Sequence, residues 1–246
     1  MTSATRRLGV MIAIVLLLAG LVGAWWQSTG TPVARARPIP IGALRIAVFG
    51  DSIAFGWGTP HPARDGLAAL LAARFAASRP GSTLVTAAFP GSTIREIALL
   101  QLRHVSGPVQ LVLAISGGND VQQASPPWRI AADEASMIES LRARYPEASL
   151  WVTDLPDVSL RPSMPRWSRV PFGLFIALED AVLVRAARAH GAHVLSLSAI
   201  SREPEANRAP YVSSDGLHPS AAGYAKLAQA LWPSFEAALR TDATVK

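Results

Sequence analysis

Five short runs of consecutive apolar residues punctuate the chain: LRIAVF (44–49), STLVTAAF (82–89), VQLVLAIS (109–116), ASLWVTDL (148–155) and AHVLSLS (192–198). Runs of this length without polar alternation belong to strands covered on both faces, as in a parallel sheet. Between them, GLAALLAARFAAS (66–78), STIREIALLQLR (92–103), RIAADEASMIESLRARY (129–145) and FIALEDAVLVRAARAH (175–190) repeat apolar residues at three- and four-residue spacing, the pattern of one covered helix face. A last helix is expected from about Ser220 to Leu239. Strand and helix in alternation call for right-handed crossovers, so the pattern predicts an α/β fold: a three-layer α/β/α sandwich around a five-stranded parallel sheet. Ligands of such folds gather at the carboxyl ends of the strands.

The N-terminal pattern is different. Leu8 to Trp26 runs 19 residues without a charge, behind Arg6 and Arg7. That is about the length that spans a hydrocarbon core. It is read as a signal anchor with the N-terminus held in the cytoplasm by the two arginines, and Val22-Gly23-Ala24 offers the alternative of a cleaved signal peptide. Either way the remainder is expected to be exported to the cell envelope. Residues 27–42, QSTGTPVARARPIPIG, read as a Pro-rich tether, which leaves 43–246 for one folded domain.

Charge adds little. Of the formal net +6, Arg6, Arg7, Arg35 and Arg37 supply four, leaving +2 on residues 38–246. No basic patch interleaved with aromatics occurs, so nucleic acid is not an expected partner. The absence of cysteine excludes disulfides and thiolate metal sites. His190-Gly191-Ala192-His193 has a metal-like spacing, but Gly191 fits a helix end with His190 at its carboxyl terminus, and no metal or cofactor is expected.

Three loops behind the strands carry chemistry. GDS (50–52) follows the first strand, SGGND (116–120) the third, and SSDGLHPSAAGY (213–224) precedes the last helix. Each taken alone is explained as a cap or a turn. Together they supply what acyl transfer needs: a hydroxyl nucleophile, a base with an orienting group, and an amide donor for the developing oxyanion. Three positions apart, Asp215 and His218 fit on one turn, the carboxylate accepting from Nδ1–H while Nε2 faces Ser52. Ala54 stands where the α/β-hydrolase elbow needs glycine, and no complete phosphate- or dinucleotide-binding glycine motif is present.

These blocks resemble the SGNH (GDSL-type) hydrolase family across roughly 44–240: FGDS gives Ser52, GGND gives Asn119, and DGLHP gives Asp215 and His218. The glycine of the second block falls on Gly91 in AFPGSTIRE, where Ala-Phe-Pro replaces the asparagine that many members carry before it. The resemblance implies a flavodoxin-like sandwich and a serine esterase with catalytic Ser52, His218 and Asp215. It further implies an oxyanion hole built from the Ser52 and Gly91 backbone N–H groups and the Asn119 amide. A small-molecule or lipid ester is the implied substrate, of lipase, lysophospholipase or thioesterase type. A carbohydrate O-acetylesterase and a non-catalytic envelope module that kept the fold are the alternatives. The Pro-rich segment 155–175, with Trp167, Phe172 and Phe175, reads either as a wall of an acyl pocket or a bilayer contact, or as a Pro-stiffened loop whose aromatics pack on its own domain, with Trp57 and Trp128 closer in sequence to the proposed centre.

Overall fold

Each of the five apolar runs contains a strand, and the strands pair only in parallel. The computed structural model describes residues 3–28 and 34–241, with part of the side chains of 3–28. In chain order the elements are α1 (Ser3–Ser28), β1 (Arg45–Gly50), α2 (Ser52–Phe55), α3 (Pro62–Asp65), α4 (Leu67–Ser78), β2 (Thr83–Ala88), α5 (Ile94–Glu96), β3 (Leu111–Ile115), α6 (Gly118–Gln122), α7 (Pro127–Arg144), β4 (Ser149–Thr153), α8 (Arg169–Ala189), β5 (His193–Leu195), α9 (Leu197–Ser201) and α10 (Ala221–Thr241). The sheet order is β2-β1-β3-β4-β5. Alternate residues of one strand feed opposite layers: Ile46 and Val48 pack with Leu71 and Phe75 of α4 and Leu231 and Phe235 of α10, whereas Ala47 and Phe49 pack with Ile138 and Leu141 of α7 and Leu183 of α8. The expected three-layer sandwich is present.

Several local expectations are corrected by position. β2 and β5 are not covered on both faces, because each is an edge strand with a single neighbour. The fifth run stops being a strand at Leu195: the Asp154 carboxylate accepts from the Leu197 and Ser198 backbone N–H groups at 2.5 and 2.8 Å and starts α9 there. α8 begins at Arg169 rather than at 175, with Pro171 in its first turn, where a missing N–H costs no intrahelical bond. The helix expected over 92–103 is broken into α5, a π-helical turn at Ile97–Gln101 and a 3₁₀ turn at Leu102–His104. The widened turn ends on the fully buried Gln101, whose amide reaches β1.

At the N-terminus, α1 covers the uncharged run and lies against α8. Among the described residues no helix is long and apolar enough to cross a membrane, so the expected spanning anchor is not supported. From Ala34 the Pro-rich segment docks on the domain. Ile39 is fully buried, the Arg37 carbonyl accepts from Ser149 Oγ at 2.7 Å and lies 2.8 Å from His193 Nε2, and Ala34 N–H donates to the Ala189 carbonyl.

Two carboxylic acids are sealed between the helices of one layer. Glu134 of α7 and Glu179 of α8 are 0% exposed, and none of their carboxyl oxygens has a hydrogen-bond partner. Burial, with the nearby Asp120 carboxylate adding to it, pushes each from 4.5 up to about 8. The folded state therefore holds these protons more tightly than the unfolded chain, and that stabilisation is complete below about pH 4.5 and lost as pH rises through about 8. Thermal unfolding followed by circular dichroism is expected to show a midpoint that falls between these limits. Glu134→Gln and Glu179→Gln, which cannot ionise, should each flatten that slope.

Candidate active site

The loop after β1 turns sharply because position 50 has no room for a side chain: a Cβ on Gly50 would stand 2.2 Å from the Ile115 carbonyl oxygen. The Gly50 φ of +148° is also one that other residues rarely adopt. Asp51 then caps α2, its Oδ1 accepting from Ile53 N–H at 2.9 Å, and Ser52 is displayed at the first position of that helix. Capping and display are thus both served by the same dipeptide. Asp51 is 4% exposed, and burial pushes its carboxyl up to about 7 against the pull of its backbone donors.

His218 Nε2 lies 3.0 Å from Ser52 Oγ, and its Nδ1 lies 2.6 Å from Asp215 Oδ2. Two segments remote in sequence thereby form one hydrogen-bonded chain. The other Asp215 oxygen, Oδ1, accepts from Ser213 Oγ at 2.7 Å, Leu217 N–H at 2.8 Å and His218 N–H at 2.9 Å. Partial burial opposes ionisation of Asp215, but these donors together with the imidazole outweigh it and hold the carboxyl well below the usual carboxylate range. Trp57 packs beside the imidazole, with ring centroids 6.4 Å apart.

Asn119 enters from the start of α6 and lines the same cavity as Ser52 and His218. Its Nδ2 donates to the Ser92 carbonyl at 2.9 Å. Gly91, one residue earlier, sits on the exposed turn after β2 with a φ of +88° and does not line this cavity. The turn is fastened from two sides. Gln101 accepts from Gly50 N–H at 2.9 Å and donates to the Gly50 carbonyl at 2.8 Å and to Ser92 Oγ at 3.0 Å, while the Asp120 carboxylate accepts from Ile94 N–H at 3.0 Å. Sequence reasoning missed Gln101 and Asp120, whose positions depend on the π-helical turn and on burial. Asp120 was nonetheless legible as a neighbour of Asn119 in GGND.

A cavity opens beside Ser52. Its apolar wall comes from Ile53, Val121, Leu155, Val158 and Ile176, and Arg161 adds a charged group. The segment 155–175 thus supplies a wall through Leu155 to Arg161, not through its aromatics. Phe172 and Phe175 pack on the core and on each other, and Trp167 is exposed away from the cavity, as is Trp128. His190 closes α8 with Nδ1 2.9 Å from the Ala186 carbonyl, and His193 stacks on Trp151.

Solved structures share this architecture. They include a lipolytic G-D-S-L family member from Veillonella parvula, 18% identical over 78% of this chain and 98% of that one, with a TM-score of 0.61. An extracellular lipase from Streptomyces rimosus is 21% identical over 80% of this chain and 100% of its own, with a TM-score of 0.62. A phospholipase A1 from Streptomyces albidoflavus is 18% identical over 78% of this chain and 99% of its own, with a TM-score of 0.61. At such identities the likeness speaks for the fold alone. No curated protein matches the chain in sequence. The model of the GDSL-like lipase/acylhydrolase family, however, matches residues 48–226, from β1 into α10 and across Ser52, Asn119, Asp215 and His218. The chain belongs to that family of ester hydrolases.

Proposed function

We propose that the protein is a serine esterase that hydrolyses carboxylic esters through an acyl-enzyme at Ser52. The observation that carries this reading is the continuous hydrogen-bonded chain from Ser52 Oγ through His218 to Asp215, at 3.0 and 2.6 Å, beside an apolar cavity. In this reading His218 Nε2 takes the hydroxyl proton as Oγ attacks the ester carbonyl, and it then returns that proton to the leaving alcohol. Asp215, kept ionised by its four donors, fixes the imidazole orientation and stabilises the imidazolium. Water, deprotonated by the same nitrogen, then releases the acid.

The developing oxyanion needs fixed donors. Ser52 N–H, at the first position of α2, has no acceptor within its helix. Asn119 has a second amide hydrogen beyond the one given to Ser92. Gly91 N–H is assigned the third place by family resemblance, beside the carbonyl on which Asn119 is anchored. The apolar walls favour an acyl group longer than acetate, which separates this reading from a carbohydrate O-acetylesterase. The uncharged run behind Arg6 and Arg7 supports export of the domain.

Hydrolysis of 4-nitrophenyl esters of increasing acyl length tests the reading. Activity should extend to butyrate and beyond and vanish in Ser52→Ala, and a fluorophosphonate probe should label wild type but not that variant. A folded wild type that neither turns over nor takes the label would favour a non-catalytic module. Asn119→Ala should lower kcat by about 10²–10³, and Asp215→Asn by about 10⁴. Gln101→Met removes the fastening of the Ser92 turn. It should cost about 1–3 kcal/mol of stability and reduce kcat more than it raises KM, measured by denaturant unfolding alongside steady-state kinetics.

A further inference from the structure

A second cavity adjoins the first, with Ile53, Pro156, Arg161 and Pro219 lining both. Its far wall is apolar, from Leu197, Ile200 and Leu227, and no acidic residue lines it. Arg161 therefore stands where the two spaces meet. It is 6% exposed, its Nη1 donates to the Ala206 carbonyl at 2.6 Å, and its Nε is buried with no partner.

Neighbouring cations are treated differently. Lys226 is paired with Glu203 at 2.6 Å and Arg202 with Asp157 at 3.5 Å, but among the described residues no carboxylate pairs with Arg161. A desolvated cation without a counter-ion is costly to keep in a fold. Burial already pulls its proton affinity down, with only the more distant field of Asp215 and Tyr224 opposing. A single bond to a carbonyl does not call for a guanidinium, whose planar fork matches the oxygens of a carboxylate or phosphate. Its position is fixed relative to the catalytic loop: Arg161 N–H donates to the Val158 carbonyl at 3.1 Å, and Ser163 N–H donates to the Gly216 carbonyl at 3.2 Å, two residues from His218.

We infer that Arg161 is a specificity-determining residue that receives an anionic oxygen group, carboxylate or phosphate, carried by the ester whose carbonyl sits at Ser52. This rests on the esterase reading for its place in the reaction, and the binding step below stands without it. An ester lying in the first cavity would direct that group past Ile53 and Pro219, where the missing counter-charge is supplied by the substrate itself.

Matched pairs of esters test the inference and identify the side that bears the charge. For the acyl side the pair is 4-nitrophenyl butyrate and mono-4-nitrophenyl glutarate; for the alcohol side it is butyryl glycerol and butyryl glycerol 3-phosphate. Wild type should favour the anionic member of at least one pair in kcat/KM. Arg161→Met should reduce that preference by about tenfold or more, with Arg161→Lys intermediate. Because the readout is a ratio within one variant, any general loss of activity cancels, and melting curves confirm that both variants fold. In the Ser52→Ala background, calorimetry should show the preferred anionic ester binding at least tenfold more weakly once Arg161→Met is added. Equal ratios in wild type and Arg161→Met for both pairs, or binding insensitive to Arg161 in the Ser52→Ala protein, would overturn the inference. Loss of turnover in wild type with Arg161-dependent binding intact would instead overturn the esterase reading alone.

Discussion

The close pairing of the end of β1 with the end of β3 leaves no space for a side chain at position 50, and the geometry of the site follows from that contact. Asp51 N–H donates to the Ile115 carbonyl at 3.1 Å, while a Cβ on Gly50 would stand 2.2 Å from the same oxygen. The chain can leave the strand only by turning upward at once, and the next residue but one is Ser52. Gly117 plays the matching part after β3, with a φ of +95° and Leu155 and Leu183 filling the space above it, so that Asn119 arrives at the same rim. Two glycines at the carboxyl ends of adjacent strands thus set the separation of hydroxyl and amide before any side-chain contact is made.

Around this rim the acids divide according to their surroundings. Asp215 has donors for both carboxyl oxygens and is held ionised, as an orienting group for an imidazole must be. Asp51, Asp120, Glu134 and Glu179 are sealed from water and pushed up to about 7, 6, 8 and 8, mainly by burial. A negative field behind Ser52 would oppose formation of an oxyanion there, and burial disfavours the charged form of Asp51, the acid next to it. The four hydrogen bonds that lower Asp215 and the burial that raises Asp51 act toward one end: charge is favoured beside the imidazole and disfavoured next to Ser52.

Much of this was legible in the residues, for reasons that differ from part to part. Parallel central strands such as LVLAI are apolar on both faces, so a continuous run identifies them, whereas TLVTAA at an edge keeps exposed threonines within an equally apolar run. Asp215 and His218 were legible because their contact is local, three residues apart on one turn. The meeting of Ser52, Asn119 and His218 was legible through topology and family resemblance, since no local pattern brings positions 52 and 218 together. Glu134 and Gln101 were not legible. Asp133 and Glu134 are neighbours in one helix, yet Asp133 pairs with Arg129 at 3.6 Å on the outside and Glu134 faces the core. Nothing in the dipeptide tells which acid a second helix will cover. Arg161 was hidden for the same reason, as its burial comes from Ala206 and the segments that fold over it.

The proposed catalytic residues and the cavity walls draw on partly separate parts of the chain. Ser52 and Asn119 hang from β1 and β3, the two most central neighbours, whose positions are fixed by helices on both faces. Ile53 and Val121 beside these two residues wall the first cavity, and the rest of the walls comes from Ile176 of α8, the segments after β4 and β5 and the start of α10, where 3₁₀ turns and prolines interrupt regular structure. Pro156 and Arg161 belong to one such segment, tied to the catalytic loop through the Ser163 to Gly216 hydrogen bond. A replacement in that segment alters what the cavities accept while leaving the strand ends that hold the nucleophile and amide in place. A lipase and a phospholipase A1 share this fold at identities of 21% and 18%, so the fold by itself does not choose the substrate.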